Sequence, residues 1–314
     1  MKYLVTGGAG FIGSHLSEAL LNRGDSVIAL DDLSTGSSNN FDSIKKVPRF
    51  TFVNGNILDA QLVEQLIASV DGIFHFAAAV GVQKIMKDPV GSLRTNVEGS
   101  EIVMTTAARL KKPTLLASTS EIYGKNPEVP LTEDSDRVLG SPLVSRWIYS
   151  EAKAIDESIA RSLFENEGWQ VKIVRLFNTV GPRQSAAYGM VIPRFIEAAR
   201  TGAPLQVHGD GTQRRVFCHI KDAIAGILAL WDVKSGFGEA FNLGGFDETT
   251  INDLAQKIIT KTNSSSTVSH IPYESMSGFE DIPRRVPDSS KLSKLTSWKA
   301  TRSLDQILDD AIAQ

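Results

Sequence analysis

The sequence predicts an α/β fold, a doubly wound parallel sheet followed by a smaller C-terminal lobe. Three observations carry that expectation. Strand-like apolar runs alternate with helix-length amphipathic segments through the first 180 residues. A glycine-spaced turn, TGGAGFIG, joins the first run to the first helical segment. Beyond residue 180 the alternation loosens into helix-like stretches with short connections. The division expected is a first domain over 1–180 and a smaller lobe over 181–314, with some segments returning to the first domain.

The expected strands are YLVTG (3–7), SVIALDD (26–32), FTFVNG (50–55), GIFHFAA (72–78), PTLLAST (113–119) and VKIVRLF (171–177). Between them HLSEALLNRG, QLVEQLIAS and SLRTNVEGSEIVMTTAARL carry apolar residues at helical spacing, and Gly24 stands where the first helix should stop. Strands in a sheet covered on both faces read as near-continuous apolar runs, as these do. The lobe is expected to contain helices at VIPRFIEAARTG (191–202), NDLAQKIITKT and SLDQILDDAIA, with IKDAIAGILALWDV (220–233) preceding the last two. Ligands of such sheets bind beyond the carboxyl ends of the strands, where strand order reverses, and a second lobe would close that crevice.

Composition narrows the function classes. The chain of 314 residues is 42% hydrophobic and 22% charged, ordinary for a globular protein. A formal net charge of −3 provides no global basic field for nucleic acid or an anionic membrane. The single cysteine, Cys218, excludes an intramolecular disulfide and a thiolate metal cluster, and fits a reducing compartment. MKYLVTGG is too short for a signal-peptide core, and GIFHFAAAVGV falls short of the roughly 20 residues of a membrane helix. A cytoplasmic protein without metal is expected.

Gly7, Gly10 and Gly13, with Phe11 and Ile12 between the last two, give G-x-x-G-x-x-G spacing. Such a turn lets backbone approach a pyrophosphate, and the following helix N-terminus stabilises its charge. The second strand ends in Asp31-Asp32, where an acid holds the adenosine ribose hydroxyls and repels a 2′-phosphate, so NAD is expected rather than NADP. For Asp32 a surface acid is the plainer alternative. Ser34, Thr35 and Gly36 follow in DDLSTG, Asn56-Ile57 follow the third strand, and Ala77, Ala78 and Ala79 follow the fourth. Small residues there let a dinucleotide lie close. Asn96 is a further candidate, or only a helix-face amide, and His75 reads as a satisfied core histidine.

In WIYSEAKAIDE, Tyr149 and Lys153 stand four apart, on one face of a helix. A phenol titrates near 10 and is a poor base at neutral pH. Bringing it to about 7 takes about 4 kcal/mol, which a partly desolvated Lys153 beside a nicotinamide would supply. Lys153 would also donate to the nicotinamide ribose.

Together, TGGAGFIG, DDLSTG, HFAAA, STSEIYG, YSEAK and RLFNTVGPR resemble, in order and spacing, the extended short-chain dehydrogenase/reductase family of nucleotide-sugar epimerases, dehydratases and decarboxylases. The resemblance covers nearly the whole chain. It implies a Rossmann-type first domain, NAD, a UDP-sugar substrate and a homodimer formed through helices 84–109 and 149–166. The tyrosine would take the proton of a sugar C4 hydroxyl while NAD accepts the hydride. Thr119 would hydrogen-bond that hydroxyl. Asn178 falls at a substrate-diphosphate position, and Arg215 and Arg285 near the diphosphate or sugar, with Val191 and Val207 also on the substrate.

Glu121 and Ser120 separate the reactions such enzymes perform. On an extended strand residues 119 and 121 point the same way, so Glu121 should enter the sugar site beside Thr119. Decarboxylases of UDP-glucuronate, and some 4,6-dehydratases, have a similar Thr-Ser-Glu. Oxidising C4 turns the C6 carboxylate into a β-keto acid, which loses carbon dioxide, and a carboxyl group near C5 can relay the returning proton. Many dehydratases use Asp-Glu, but position 120 is Ser. Arg183, Arg215 and Arg285 are the expected partners for a uronate, whereas Arg214 and Arg284 read as solvated. The segment SAAYGMVIPRF (185–195) departs from the loop of UDP-xylose-forming decarboxylases, and Asn56 replaces a frequent Asp. The leading expectation is decarboxylation of UDP-glucuronate to UDP-xylose or its 4-keto form. The alternatives are 4-epimerisation of UDP-glucuronate or a UDP-hexose, 4,6-dehydration, and a non-catalytic NAD sensor.

Overall fold

A computed structural model describes residues 1–80, 88–185, 190–273 and 280–313. Within the expected domain pair, six strands form where the apolar runs lie: β1 (Lys2–Thr6), β2 (Ser26–Asp31), β3 (Phe50–Asn54), β4 (Gly72–His75), β5 (Thr114–Thr119) and β6 (Val171–Leu176). A seventh, β7 (Ala240–Leu243), completes an all-parallel sheet in the order β7-β6-β5-β4-β1-β2-β3. This is the expected Rossmann-type arrangement. Order reverses between β1 and β4, so the crevice opens at their carboxyl ends.

Adjacent residues of each strand feed opposite layers. Val5 and Leu115 pack with α1 (Phe11–Asn22) through Leu16 and Leu20, whereas Leu4 and Leu116 pack with α2 (Ala60–Ala68) and α3 (Ser100–Arg109) through Val63, Ile67, Val103 and Met104. The helix carrying Tyr149 and Lys153, α4 (Ile148–Glu167), covers that second face and contributes Ala160. Residues 84–87 of the expected dimer helices lie outside the described residues.

Two segments beyond residue 180 belong to the large sheet. Besides β7, helix α6 (Ile220–Asp232) packs Ile220, Ala223, Ile227 and Leu230 against the α1 side. The lobe proper is built from α5 (Val191–Thr201), α7 (Ile251–Lys261) and α8 (Leu304–Ile312) around Phe195, Leu205, Val207, Leu254 and Leu308. Short strands complete it, with Leu205–His208 pairing Val268–Ile271, and Arg214–Val216 pairing both Glu248–Thr250 and Arg284–Arg285. Among the described residues no helix is long and apolar enough to cross a membrane.

The C-terminal segment is tied down at one buried carboxylate. Asp222 on α6 accepts from the Thr301 amide at 3.0 Å, the Arg302 amide at 2.9 Å and the Thr301 hydroxyl at 3.0 Å, and pairs with the Arg302 guanidinium. Burial alone would raise this carboxyl, but the donated amides and the Arg302 charge hold it below its usual range. A depressed acid contributes stability above its unfolded value, near 3.9, and loses it as pH falls through the folded value. Asp222→Asn is therefore expected to cost about 1–3 kcal/mol at neutral pH. Urea denaturation series should show that deficit shrinking as pH falls below about 4.

Candidate active site

The carboxyl ends of the strands and the inner face of the lobe enclose a cleft of about 790 Å³. Its floor at one end is the glycine turn. Gly7 has φ +67°, and a Cβ there would fall 2.7 Å from the Ala77 nitrogen; one on Gly13 would fall 2.2 Å from the Gly7 carbonyl oxygen. Only side-chain-free backbone closes this turn. It leads into α1, whose N-cap, Gly10, offers no side chain and whose first turn holds no acid. The positive end of that helix is thus left for an anion.

Around the turn, Asp31 accepts from the Ala9 amide at 2.9 Å and the Leu33 amide at 2.8 Å while lining the cleft. Burial raises its carboxyl, with those amides pulling the other way. Asp32 accepts from the Ser34 amide at 2.9 Å and from Asn56 Nδ2 at 2.8 Å. Asn56 therefore reaches the cleft through its neighbour carboxylate as well as directly. Phe11, Ile12, Ser34, Thr35, Gly36, Ile57, Ala77 and Ala78 also line this end. The residues present fit a dinucleotide.

Two expected cofactor residues are corrected. Asn96 is fully buried and clamps Ala79, accepting from its amide at 2.6 Å and donating to its carbonyl at 3.1 Å. Neither lines the cleft; the pair fixes the backbone behind Ala77 and Ala78. His75 is the satisfied core histidine expected. It bonds Thr6 at 2.6 Å and Ser100 at 3.1 Å, and burial together with the Lys153 charge pulls its pKa down to about 3.

At the other end the strand premise for Glu121 fails, although the residue does line the cleft. β5 stops at Thr119, and Ser120–Tyr123 form a 3₁₀ turn capped by the Thr119 hydroxyl, which accepts from the Glu121 amide at 3.1 Å. That turn, not strand alternation, carries Glu121 into the cleft with Thr119 and Ser120. There Glu121 accepts from Arg146 at 3.2 Å and pairs with Arg285. Burial alone would raise its carboxyl; Arg285 and Arg146 overcome it and hold the value at about 2. Arg285 also donates to Asn178 Oδ1 at 2.6 Å, and Asn178 donates to the Val216 carbonyl at 2.9 Å.

Sequence reasoning missed Arg146. It stands three residues before Tyr149, the helical spacing that puts two side chains on one face, and that spacing was the available signal. Arg215 is partly buried and donates to Asp281 at 3.0 Å, with Tyr273 on the same carboxylate. Burial and the neighbouring Arg285 pull Arg215 down to about 10, so it stays charged at neutral pH. Arg183 lines the cleft but pairs with Glu18 of α1 at 2.6 Å, which puts it beside the glycine turn rather than with Arg215 and Arg285. Arg214 and Arg284 are exposed and share Glu248, as expected of surface arginines. Val191 lines the cleft, but Val207 is fully buried in the lobe core. Strand alternation gives the cleft positions to Gln206 and His208 instead.

Tyr149 and Lys153 both line the cleft, and the phenol hydrogen-bonds Thr119. Lys153 is not among the groups that lower the phenol in the protein alone. Burial first, then the charges of Glu121 and Asp156, push the phenol well above its usual range. The Lys153 ammonium faces Asp156 at 3.0 Å.

The sequence profile described as the NAD dependent epimerase/dehydratase family matches residues 3–244. A UDP-N-acetyl-alpha-D-glucosaminuronate decarboxylase from Bacillus cytotoxicus is 39% identical over 99% of this chain and 96% of that protein. UDP-glucuronic acid decarboxylase 1 of Arabidopsis thaliana is 34% identical over 97% of this chain and 67% of its own length. Among solved structures, a UDP-glucuronic acid 4-epimerase from Bacillus cereus, in complex with UDP-glucuronic acid and NAD, aligns with TM-score 0.90 and 29% identity over 100% of this chain and 98% of that one.

Because the turn has no room for a methyl group, Gly13→Ala is expected to lose NAD binding in calorimetric titration while circular dichroism keeps the sheet signal. Unchanged affinity would contradict the cradle described.

Proposed function

The chain belongs to the NAD dependent epimerase/dehydratase family, and we propose that it transiently oxidises C4 of a UDP-hexuronate and decarboxylates it. Its cofactor is NAD, and it is a nucleotide-sugar enzyme. The observation that carries the finer reading is Glu121 held between Arg146 and Arg285 at the sugar end of the cleft. A site that already pairs two arginines with one carboxylate is chemically prepared for another. The substrate is UDP-glucuronate or the 2-acetamido counterpart on which the Bacillus cytotoxicus relative acts by name.

Tyr149, sharing a hydrogen bond with Thr119, takes the proton of the C4 hydroxyl. NAD, when bound, accepts the C4 hydride. Lys153 lines the same stretch of cleft and, together with the positive charge of bound NAD, would favour the deprotonated phenol. The C6 carboxylate is then β to a ketone; the C5–C6 bond breaks, carbon dioxide leaves, and the electron pair passes to the C4 oxygen as an enolate. Arg285 and Arg146 orient the leaving carboxylate. As the substrate engages these arginines, Glu121 loses the charges that keep it anionic and becomes able to relay the proton C5 regains. Hydride return to C4 gives UDP-xylose or its acetamido analogue; release before it gives the 4-keto pentose.

The 4-epimerase reading keeps the same oxidation and gains support from the likeness to the Bacillus cereus enzyme. Incubation with NAD and each UDP-uronate separates the two. Carbon dioxide with a UDP-pentose is the expected result, and a product of unchanged mass with inverted C4 would replace decarboxylation by epimerisation. Tyr149→Phe should lower turnover by about 100-fold or more with NAD affinity kept. Arg146→Met should raise KM for the uronate about tenfold or more while leaving the affinity for UDP alone unchanged, since a charged hydrogen bond is worth about 1.5–3 kcal/mol.

A further inference from the structure

One buried carboxylate lies next to the catalytic pair with no part in the chemistry above. Asp156 sits one helical turn beyond Lys153 on α4, its side chain fully buried, and accepts from the Lys153 ammonium at 3.0 Å. Both partners are out of water, with side-chain exposures of 3% and 0%. Ser100, from α3, adjoins Asp156 and favours its charged form, while the other carboxylate oxygen, Oδ1, is buried without a hydrogen-bond partner. The Ser100 hydroxyl also meets His75 of β4 at 3.1 Å, and His75 meets Thr6 of β1 at 2.6 Å. A line of buried polar groups thus runs from the catalytic lysine to the residue before Gly7, at the floor of the dinucleotide turn.

We propose that Asp156 is a positioning residue for the Tyr149–Lys153 pair, fixing the ammonium in place and screening its charge from the phenol. An ammonium locked by a carboxylate cannot swing away when the cleft is empty, and its field at the phenol is reduced by the anion beside it. The phenol would then stay protonated in the empty cleft, and a bound, oxidised NAD would supply the further positive charge that favours its ionisation. Proton abstraction is thereby tied to a loaded, oxidised cofactor.

The charged and titratable groups around the pair are accounted for. From its own helix Asp156 faces Lys153 and Glu157, and Glu157 is taken up by Arg175 of β6 at 2.7 Å and by Ser118 of β5 at 2.5 Å. His75, from β4, is held neutral by burial and by Lys153. The phenol itself faces Glu121 from the 3₁₀ turn and Asp156 from α4, both of which raise it, and the Thr119 hydroxyl, which lowers it. Glu121 is matched by Arg146 and Arg285. Asp156 is thus the flanking anion whose removal leaves the substrate contacts untouched.

The inference rests on Tyr149 as the base but not on which product forms, and its test is read without turnover. In NAD-loaded protein, the phenolate ultraviolet absorbance is titrated with pH, and Tyr149→Phe supplies the blank that assigns the signal. Asp156→Asn should move the Tyr149 midpoint down by about one pH unit, since Asp156 is one of the two anions that raise the phenol and a nearby like charge shifts a group by that order. A midpoint at or above that of the unaltered protein would overturn the proposal. Because Asp156→Asn leaves Lys153 buried without its anion, a second comparison avoids that strain. Lys153→Met should raise the midpoint, and Lys153→Met combined with Asp156→Leu should bring it down again; equal midpoints in these two would refute the role even if the single Asn variant does not fold. If the titration behaves as expected and the product assay fails, only the decarboxylase reading falls.

Discussion

A charge removed from water must be neutralised where it stands, and that constraint organises the interior of this protein. Glu121 is matched by Arg146 and Arg285, Lys153 by Asp156, Arg215 by Asp281 and Glu157 by Arg175. The first, second and fourth of these lie at or just beneath the carboxyl ends of the central strands, and the Arg215–Asp281 pair belongs to the lobe that lines the cleft with them. The cleft can therefore hold several full charges within a small volume and still fold. A ligand bearing phosphates and a carboxylate enters by exchanging partners with groups that are already paired, not by creating new isolated charge.

The paired groups are also mechanically joined. Arg175 donates to Glu157 and, at 2.8 Å, to the Tyr123 hydroxyl, which donates at 2.6 Å to Asn242 on β7. Tyr123 closes the same 3₁₀ turn that holds Glu121. The geometry of the sugar end is thus fixed from below by an edge strand that arrives late in the chain. A turn carrying a reactive carboxylate needs such support, because four residues of 3₁₀ helix have little stability of their own.

Much of this was legible in the amino-acid sequence, for identifiable reasons. Parallel strands buried on both faces announce themselves as apolar runs, so five of the first six end within a residue of their expected places, while the fourth stops three residues early at His75. The glycine turn and the Tyr149–Lys153 spacing are local patterns with one geometric meaning. What local pattern cannot reveal is how side chains distant in sequence share charge. Arg146 escaped notice because its partner Glu121 lies 25 residues away, and Val207 was placed on the substrate because sequence does not say which face of a short lobe strand turns inward. The end of β5 misled for a related reason: Thr119 caps a turn, and a threonine at a strand end reads the same whether the strand continues or not.

The late return of α6 and β7 to the large sheet has a bearing on modularity. A fragment ended near residue 180 would bare the flank of β6, strip the apolar covering that Ile224, Ile227 and Leu230 lay over α1, and remove Asn242 from beneath Tyr123. The nucleotide-holding half is therefore not an excisable cassette, and a chimera that borrows it must splice at several crossings instead of one.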